Sequence, residues 1–439
     1  MTALHPALAG SPYQGYVYAY PHKTAYRPLD PPRPLAEVWA DEPQGGLFLY
    51  AHVPFCTMRC GFCNLFTTPT PRSGLVRLYL DALRRQAEAV RAAVPDARFA
   101  RFAVGGGTPT YLDEAELGEL FDLAERVMGA DLRAIPVGVE TSPDTLTPGK
   151  LAVLRDRGVD RVSIGVQSFE EAETAGCGRP QSRWDVDIAL SLLAGAGFPT
   201  VNVDLIYGLP GQTVATWLGS LRAALAYRPQ ELYLYPLYVR PLTALGRSHK
   251  EWDDLRLACY REGRTLLLAE GYTQVSMRLF RRADAPDAGG PAYCCQEDGM
   301  VGLGCGARSY TRRLHYSLDY AVGPRGVKEI LADYLARDRD ELAVADHGFE
   351  LDADDQRRRY LLQSLLQADG LDAGRYAMRF GTDPADDFPD LRTFADLGLI
   401  GYDAGRWAPT ALGLERSDAL GPWLFSPRVR SMMAGYEAK

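Results

Sequence analysis

From residue 47 onward the chain alternates between two rhythms of apolar and polar positions. Short runs rich in β-branched and aromatic residues read as strands: Leu47–Val53 (LFLYAHV), 101–104, Val137–Thr141 (VGVET), VDRVSIGVQSF, VNVDLIYGLPGQT and ELYLYPLYV. Between them lie stretches with a helical period. The segment 74–94 places Leu75, Leu78, Leu83, Ala87 and Val90 on one face. Further helices are expected from near Asp113, in TPGKLAVLRDRG with Pro148 in its first turn, over Arg183–Ala196 and over 214–227. Six strands recur with helices at intervals of about 25 to 55 residues, the length of βα units. Such alternation demands parallel strands joined by helical crossovers. The fold class is therefore α/β, as an open sheet or an incomplete barrel.

Outside this repeat the pattern changes. Residues 1–45 are rich in Pro and Tyr and show neither period, which reads as an extended arm strapped to the main body. A helix over 252–271, a strand YTQVSMRLF and a Gly-rich turn at 302–307 complete a body spanning 46–345. Residues 346–439 read as helix, Gly-marked turn, helix (DADDQRRRYLLQSLLQADGLDAGRYAMRFG), then a helix and a short hairpin.

Composition narrows the function. A formal net charge of −8 and the acidic run DADD argue against nucleic acid as a partner. No apolar run reaches the roughly 18 residues of a membrane span. The opening MTALHPALAGSPYQG lacks a basic segment followed by a long apolar core, so no signal peptide is expected. Three of the eight cysteines are clustered, which suits metal binding in a reducing cytoplasm better than a disulfide framework.

That cluster carries the chemistry. Cys56, Cys60 and Cys63 follow the first strand as C-x3-C-x2-C, flanked by Tyr50, Phe55, Phe62 and Phe66. Three thiolates in one loop can face a single inorganic centre. A four-iron cube with three protein ligands keeps one iron open; structural zinc, the competing metal, takes four ligands. The other notable residues also fall at strand ends. Gly105, Gly106, Gly107 and Thr108 follow the second strand, Glu140 ends the third and Gln167 the fourth. Asp204 precedes YGLPG in the fifth, and the sixth ends in PLYVRP. Ligands of parallel α/β folds bind beyond the carboxyl ends of strands, so these features converge on one rim. Cys294, Cys295 and Cys305 read as structural or incidental thiols, because adjacent cysteines do not readily ligate separate corners of a cluster.

YAHVPFCTMRCGFC resembles the cluster loop of the radical S-adenosylmethionine (radical-SAM) enzymes, in the branch holding oxygen-independent coproporphyrinogen III oxidase (HemN), the haem chaperone HemW and the HemN-like methyltransferases. The resemblance implies an incomplete (β/α)6 barrel with a small winged-helix-like C-terminal domain. It implies a [4Fe-4S] cluster on Cys56, Cys60 and Cys63, and SAM, as one molecule or two, cleaved to a 5′-deoxyadenosyl radical. It further implies a cytoplasmic enzyme with a small-molecule substrate and an electron donor such as flavodoxin or ferredoxin. The GGGTP segment, including Gly106, would bind the amino group of SAM. Tyr50 and Glu140 match residues around the cluster-bound SAM. Phe62, Gly107, Thr108, Gln167, Arg179, Asp204 and Leu237 match the side of a second SAM; Arg179 lies twelve residues after Gln167, as in the HemN pattern. Arg308, after the turn 302–307, falls where the family makes a backbone contact to SAM.

The sequence also departs from HemN: Leu65 stands where that enzyme has a fourth Cys, and the arm lacks its Arg-bearing element. These departures favour another small-molecule substrate, with methyl or C1 transfer from a second SAM as one outcome. Oxidative decarboxylation of coproporphyrinogen is the alternative. A haem chaperone is the non-enzymatic reading; YCCQEDGMVGLG lacks the His-containing segment that HemW carries there.

Overall fold

The computed structural model describes residues 10–239, 243–247, 255–287, 289–291, 293–295 and 297–437. Residues 252–254 of the expected helix, the final two residues of PLYVRP and the first nine residues of the arm lie outside the described residues.

Six parallel strands run in chain order: β1 (Leu47–Val53), β2 (Phe99–Gly106), β3 (Val137–Thr141), β4 (Arg161–Gln167), β5 (Thr200–Tyr207) and β6 (Glu231–Pro236). Each crosses to the next through helix: Leu75–Ala93, Glu114–Asp122, Pro148–Asp156, Arg183–Ala196 and Val214–Leu225. Local chemistry starts these helices. Asp113 and Thr213 form capping boxes, the Ser182 hydroxyl accepts from the Asp185 N–H, and Pro148 takes the first turn after Thr147. This is the incomplete (β/α)6 barrel: among the described residues the sheet stays open, its ends being Arg27–Pro34 and Tyr272–Gln274.

Three features differ from the sequence reading. The run YTQVSMRLF is two strands, Tyr272–Gln274 and Leu279–Arg282, paired antiparallel beyond β6. The aperiodic arm contributes an edge strand, Arg27–Pro34, on Val344–Glu350; its prolines donate no ladder hydrogen bonds, which suits only an edge. Most consequential for the site, Met300–Leu303 pairs in parallel with β1 on the side away from β2, so β1 lies inside the sheet.

Alternation along β1–β6 separates two faces. Leu49, Val139, Val162, Val203 and Leu232 join the main core under the helices. The opposite face is polar and reached by solvent at Tyr50, Glu140, Gln167, Asp204, Tyr233 and Tyr235. Register aligns Glu140, Ser163, Asn202 and Glu231 as one rung, and Gly165, Asp204 and Tyr233 as another.

The C-terminal unit has helices Ala353–Leu365, Ala373–Phe380 and Asp390–Asp396 with a three-stranded sheet ending in the hairpin Ile400–Asp403/Arg406–Pro409, a winged-helix arrangement. It has its own core, which Tyr20, Ala25 and Tyr26 of the arm enter. The arm thus reaches both units. No helix among the described residues is long and apolar enough to cross a membrane.

Candidate active site

The cysteine loop leaves β1 at Pro54 and is tied down along its length. Thr68 N–H donates to Pro54 O at 2.7 Å and Thr70 N–H to Cys56 O at 2.9 Å. Gly61 N–H donates to Cys177 O at 2.9 Å, and a Cβ at Gly61 would lie 2.5 Å from that oxygen, so only glycine permits the approach. The Thr57 hydroxyl donates to Asp144 at 2.5 Å. A loop anchored at so many backbone groups presents its thiols in a preset arrangement.

His52, in β1, closes the far end. Its Nε2 lies 2.9 Å from Phe66 O, a group that can only accept, so Nε2 carries the proton and Nδ1 accepts from the Tyr50 hydroxyl at 3.3 Å. Burial holds this imidazole neutral, down to about 4. The ring is clasped between two glycines with positive φ: a Cβ at Gly106 or Gly306 would lie 2.6 Å from it. His52 is a post for the loop, and its role is legible only once the turn 302–307 stands beside β1.

The three thiols are free, and each has a polar neighbour. Thr108 Oγ1 donates to Cys56 Sγ at 3.7 Å, Arg179 Nη1 to Cys60 Sγ at 3.2 Å, and Thr67 Oγ1 lies 3.8 Å from Cys63 Sγ. Burial pushes the Cys56 thiol up to about 12 and raises that of Cys63 as well, so these groups ionise on meeting a metal rather than beforehand. Among the described residues the acidic group Asp352, Asp354 and Asp355 gathers its ligand atoms within 4.8 Å of one another; the cysteines do not. A zinc ion with Zn–S of about 2.3 Å would draw its sulfurs within about 4 Å. The wider spread of these three sulfur donors fits a polynuclear iron–sulfur centre better than a zinc ion.

The glycine loop after β2 is stitched onto this one. Gly107 N–H donates to Val53 O at 2.7 Å and Thr108 N–H to Phe55 O at 2.8 Å. A Cβ at Gly107 would lie 2.9 Å from Cys56 Sγ. Gly106 N–H donates to Glu140 Oε2 at 3.0 Å. Glu140 is surrounded by protein yet open to the interior space; burial raises its pKa against the pull of Gly106 N–H.

Gln167 takes a left-handed backbone, φ +71°, at a break in the β4–β5 register. A non-glycine residue held there stores strain, a common mark of a functional position. Its amide lies close to Gly165, where a Cβ would meet Nε2 at 2.7 Å and Arg179 Nη2 at 3.9 Å. Arg179 also donates to Gly165 O at 2.7 Å and to the Ser142 hydroxyl at 3.1 Å. Asp204 accepts from Asn202 at 2.7 Å; burial raises it to about 7, opposed by Asn202 and Arg161. Leu237 and Phe62 belong to one apolar cluster with Cys177, Ile206 and Leu209.

Arg308 begins the strand Arg308–Tyr310, antiparallel to Met300–Leu303. Its Nη1 donates to the hydroxyl of Tyr18, a residue of the arm, at 2.8 Å. Tyr16 of the same arm pairs with Tyr233 across 2.9 Å, hydroxyl to hydroxyl. Tyr16, Tyr18, Arg161 and Ser142 border the expected site residues, and motif reasoning does not single them out; the Tyr-rich composition of the arm is the available signal for the first two.

The predicted residues thus fall into three neighbouring groups. Cys56, Cys60, Cys63, Gly107, Thr108, Gln167 and Arg179 surround the loop. Tyr50, Gly106, Glu140 and Arg308 lie about β1–β3, and Asp204, Phe62 and Leu237 lie toward β5 and β6.

Comparison with known proteins agrees with this geometry. The chain matches the Radical SAM superfamily over residues 50–224 and the HemN C-terminal domain over residues 351–415. It is 30% identical over 339 residues to an oxygen-independent coproporphyrinogen III oxidase of Paracoccus denitrificans, covering 72% of each chain. It is 29% identical over 367 residues to the heme chaperone HemW of Bacillus subtilis, covering 80% of this chain and 92% of that protein. The solved structure of coproporphyrinogen III oxidase (HemN) from Escherichia coli superposes with a TM-score of 0.79 at 25% identity, over 92% of this chain and 96% of that one. A [4Fe-4S] cluster and SAM are the cofactors of this family. The chain belongs to the radical-SAM superfamily, in its HemN-like branch.

Proposed function

We propose that this protein is a HemN-like radical-SAM enzyme acting on a small organic substrate, with Cys56, Cys60 and Cys63 as cluster ligands. A reduced cluster with SAM bound supplies a 5′-deoxyadenosyl radical able to take hydrogen from an unactivated carbon. The observation that carries the reading is the polar inner face: Glu140, Gln167, Arg179 and Asp204 are all held at one rim beside a preset cysteine loop. Glu140 and Asp204 offer carboxylates to a sulfonium, an ammonium or ribose hydroxyls. Gly106 and Gly107 let backbone approach closely. Tyr16 and Tyr18 of the arm lie against this face through Tyr233 and Arg308 and would narrow the access of water to a reactive species.

A second SAM would lie toward Phe62, Thr108, Gln167, Arg179, Asp204 and Leu237. The shared apolar cluster of Phe62 and Leu237 beside Arg179 supports that placement and keeps methyl or C1 transfer open alongside oxidative decarboxylation. An electron donor such as flavodoxin or ferredoxin in a reducing cytoplasm completes the reading. The similarity to HemW makes a haem chaperone the competing reading.

The test is anaerobic reconstitution and reduction with SAM, against a Cys56/Cys60/Cys63→Ala variant, with and without coproporphyrinogen III. The proposal expects 5′-deoxyadenosine in the wild type alone. S-adenosylhomocysteine in addition indicates methyl transfer; decarboxylated porphyrinogen indicates the oxidase reaction. Absence of 5′-deoxyadenosine together with a strong Soret shift on haem titration would replace the enzyme with the chaperone.

A further inference from the structure

The cysteine loop also has an outer surface, and its charge runs against that of the whole chain. From residue 47 to residue 80 the sequence carries Arg59, Arg72 and Arg77 and not one carboxylate, although the protein stands at −8 overall. Arg77 is neutralised by Asp81 and Glu119. Arg59 donates to the carbonyl of Val322, and Arg72 is exposed with no ion-pair partner among the described residues. The strand Thr68–Pro69, paired with Phe55–Cys56, packs against the helix Pro324–Ala336, which adds Arg325 and Lys328, both exposed. The bordering carboxylates are engaged: Asp144 by the Thr57 and Ser142 hydroxyls, Asp319 by the Tyr320 N–H and Glu329 by Arg325.

Two large apolar side chains stand in this basic surround. Leu65 is 45% exposed, in a loop that Tyr320 holds by donating to Asn64 O. Leu78 is 57% exposed. It shares a helix face with Arg85, seven residues on, which donates to the carbonyls of Leu335 and Arg337, so Leu78 flanks the same helix Pro324–Ala336. Leu65 lies two residues past Cys63, at most about 7 Å of chain, and Cys63 is itself only partly covered. The wall between the thiols and the surrounding water is thin here. Electron-transfer contacts between proteins are small, and opposite charge steers them together. A surface with exposed leucines and unpaired cations, next to a redox centre in an acidic protein, has that character.

We infer that the face formed by Leu65 and Leu78, with Arg72, Arg325 and Lys328 around them, docks a small acidic one-electron carrier protein that reduces the centre on Cys56, Cys60 and Cys63. Docking here rests on the enzyme reading above, which creates the need for an electron, and adds where that electron enters. The carrier loses one electron and the cluster gains it, passing from the 2+ to the 1+ state; no bond forms or breaks.

The experiment uses the reconstituted full chain as wild type, Arg72→Glu, Lys328→Glu and the double variant, matched for iron content and melting temperature. Arg222→Glu serves as control, because it changes net charge equally from the exposed surface of the helix Val214–Leu225, between β5 and β6. The probe is flavodoxin. Its oxidised form is titrated against each protein by calorimetry. Its hydroquinone is mixed with each protein anaerobically, and cluster reduction is followed by electron paramagnetic resonance, with dithionite as the reductant that needs no docking. Wild-type binding should weaken as salt rises. Each reversal at Arg72 or Lys328 should weaken binding and slow reduction by flavodoxin about five-fold or more, and the double variant further still. Arg222→Glu, and every rate with dithionite, should match wild type. Binding unchanged in the double variant, equal weakening in Arg222→Glu, or no binding by wild type overturns the inference. A dimeric wild type that the double variant dissociates, seen by sedimentation, also overturns it and gives the face to a second copy of the chain. Dithionite-reduced protein that forms no 5′-deoxyadenosine from SAM would sink the enzyme reading and leave the docking comparison intact.

Discussion

Arg179 Nη1 donates to Cys60 Sγ at 3.2 Å while its Nη2 holds Gly165 O and the Ser142 hydroxyl. One guanidinium therefore joins the cysteine loop, the end of β3 and the inner face of β4. Replacing it with Gln should leave the three thiols able to take up iron, yet remove a charged donor from the expected second-SAM side. SAM affinity on that side should fall roughly ten- to a hundred-fold. Equilibrium dialysis should then show a lower SAM stoichiometry at unchanged iron content. Loss of iron in parallel would instead make Arg179 a support of the cluster loop.

The clasp around His52 predicts a steric penalty. Alanine at Gly106 or Gly306 places a methyl carbon 2.6 Å from the imidazole and also demands a positive φ, +118° and +99° respectively. Each change should destabilise the protein by about 1–3 kcal/mol. Combining Gly306→Ala with His52→Ala should recover the steric part and leave the backbone part. Thermal denaturation of the single and double variants checks both.

Asp204 sets a pH dependence. Its pKa is about 7 in the folded chain, raised by burial, against about 3.9 in an unfolded one. The folded state holds the proton more tightly, so its stability declines as pH rises from about 4 to about 7 and levels off above. Asp204→Asn should flatten that decline and raise the melting temperature above neutrality. Binding of a sulfonium needs the carboxylate, so SAM affinity should increase through pH 7 in the wild type and be weaker and flat in Asp204→Asn. Isothermal titration across that range measures it.

Arg278 and Asp418 form an ion pair with side chains 4% and 2% exposed, joining the barrel extension to the C-terminal unit. Tyr238 donates to the same carboxylate, and Tyr16 packs over the guanidinium at 3.8 Å. Removing one partner strands a buried charge; Asp418→Ala should cost about 3–5 kcal/mol. An apolar pair, Arg278→Met with Asp418→Leu, should recover much of it. Urea denaturation of the three proteins decides, and equal losses in single and double variants would refute this account.

Much of the architecture was legible without coordinates. The boundaries of β1, β3 and the helix Arg183–Ala196 follow from period and capping signals inside each segment. The C-x3-C-x2-C loop, the GGGTP turn and their place after parallel strands follow as well, because these are short-range properties of the chain.

What the sequence by itself determined is therefore local: which runs form strands, where helices start, and which residues sit at strand ends. The tertiary structure decided what depends on partners far apart in the chain. Met300–Leu303 pairs with β1 across some 250 residues, which brings Gly306 onto His52 and Arg308 beside Tyr50. Tyr18 reaches Arg308 from the opposite end of the chain, 290 residues away. The left-handed Gln167 likewise arises from a register break between two strands. Periodicity records how one segment divides its faces between core and solvent; it holds no information on which distant segment supplies the opposing surface. Pairing is chosen by packing and hydrogen-bond satisfaction over the whole chain.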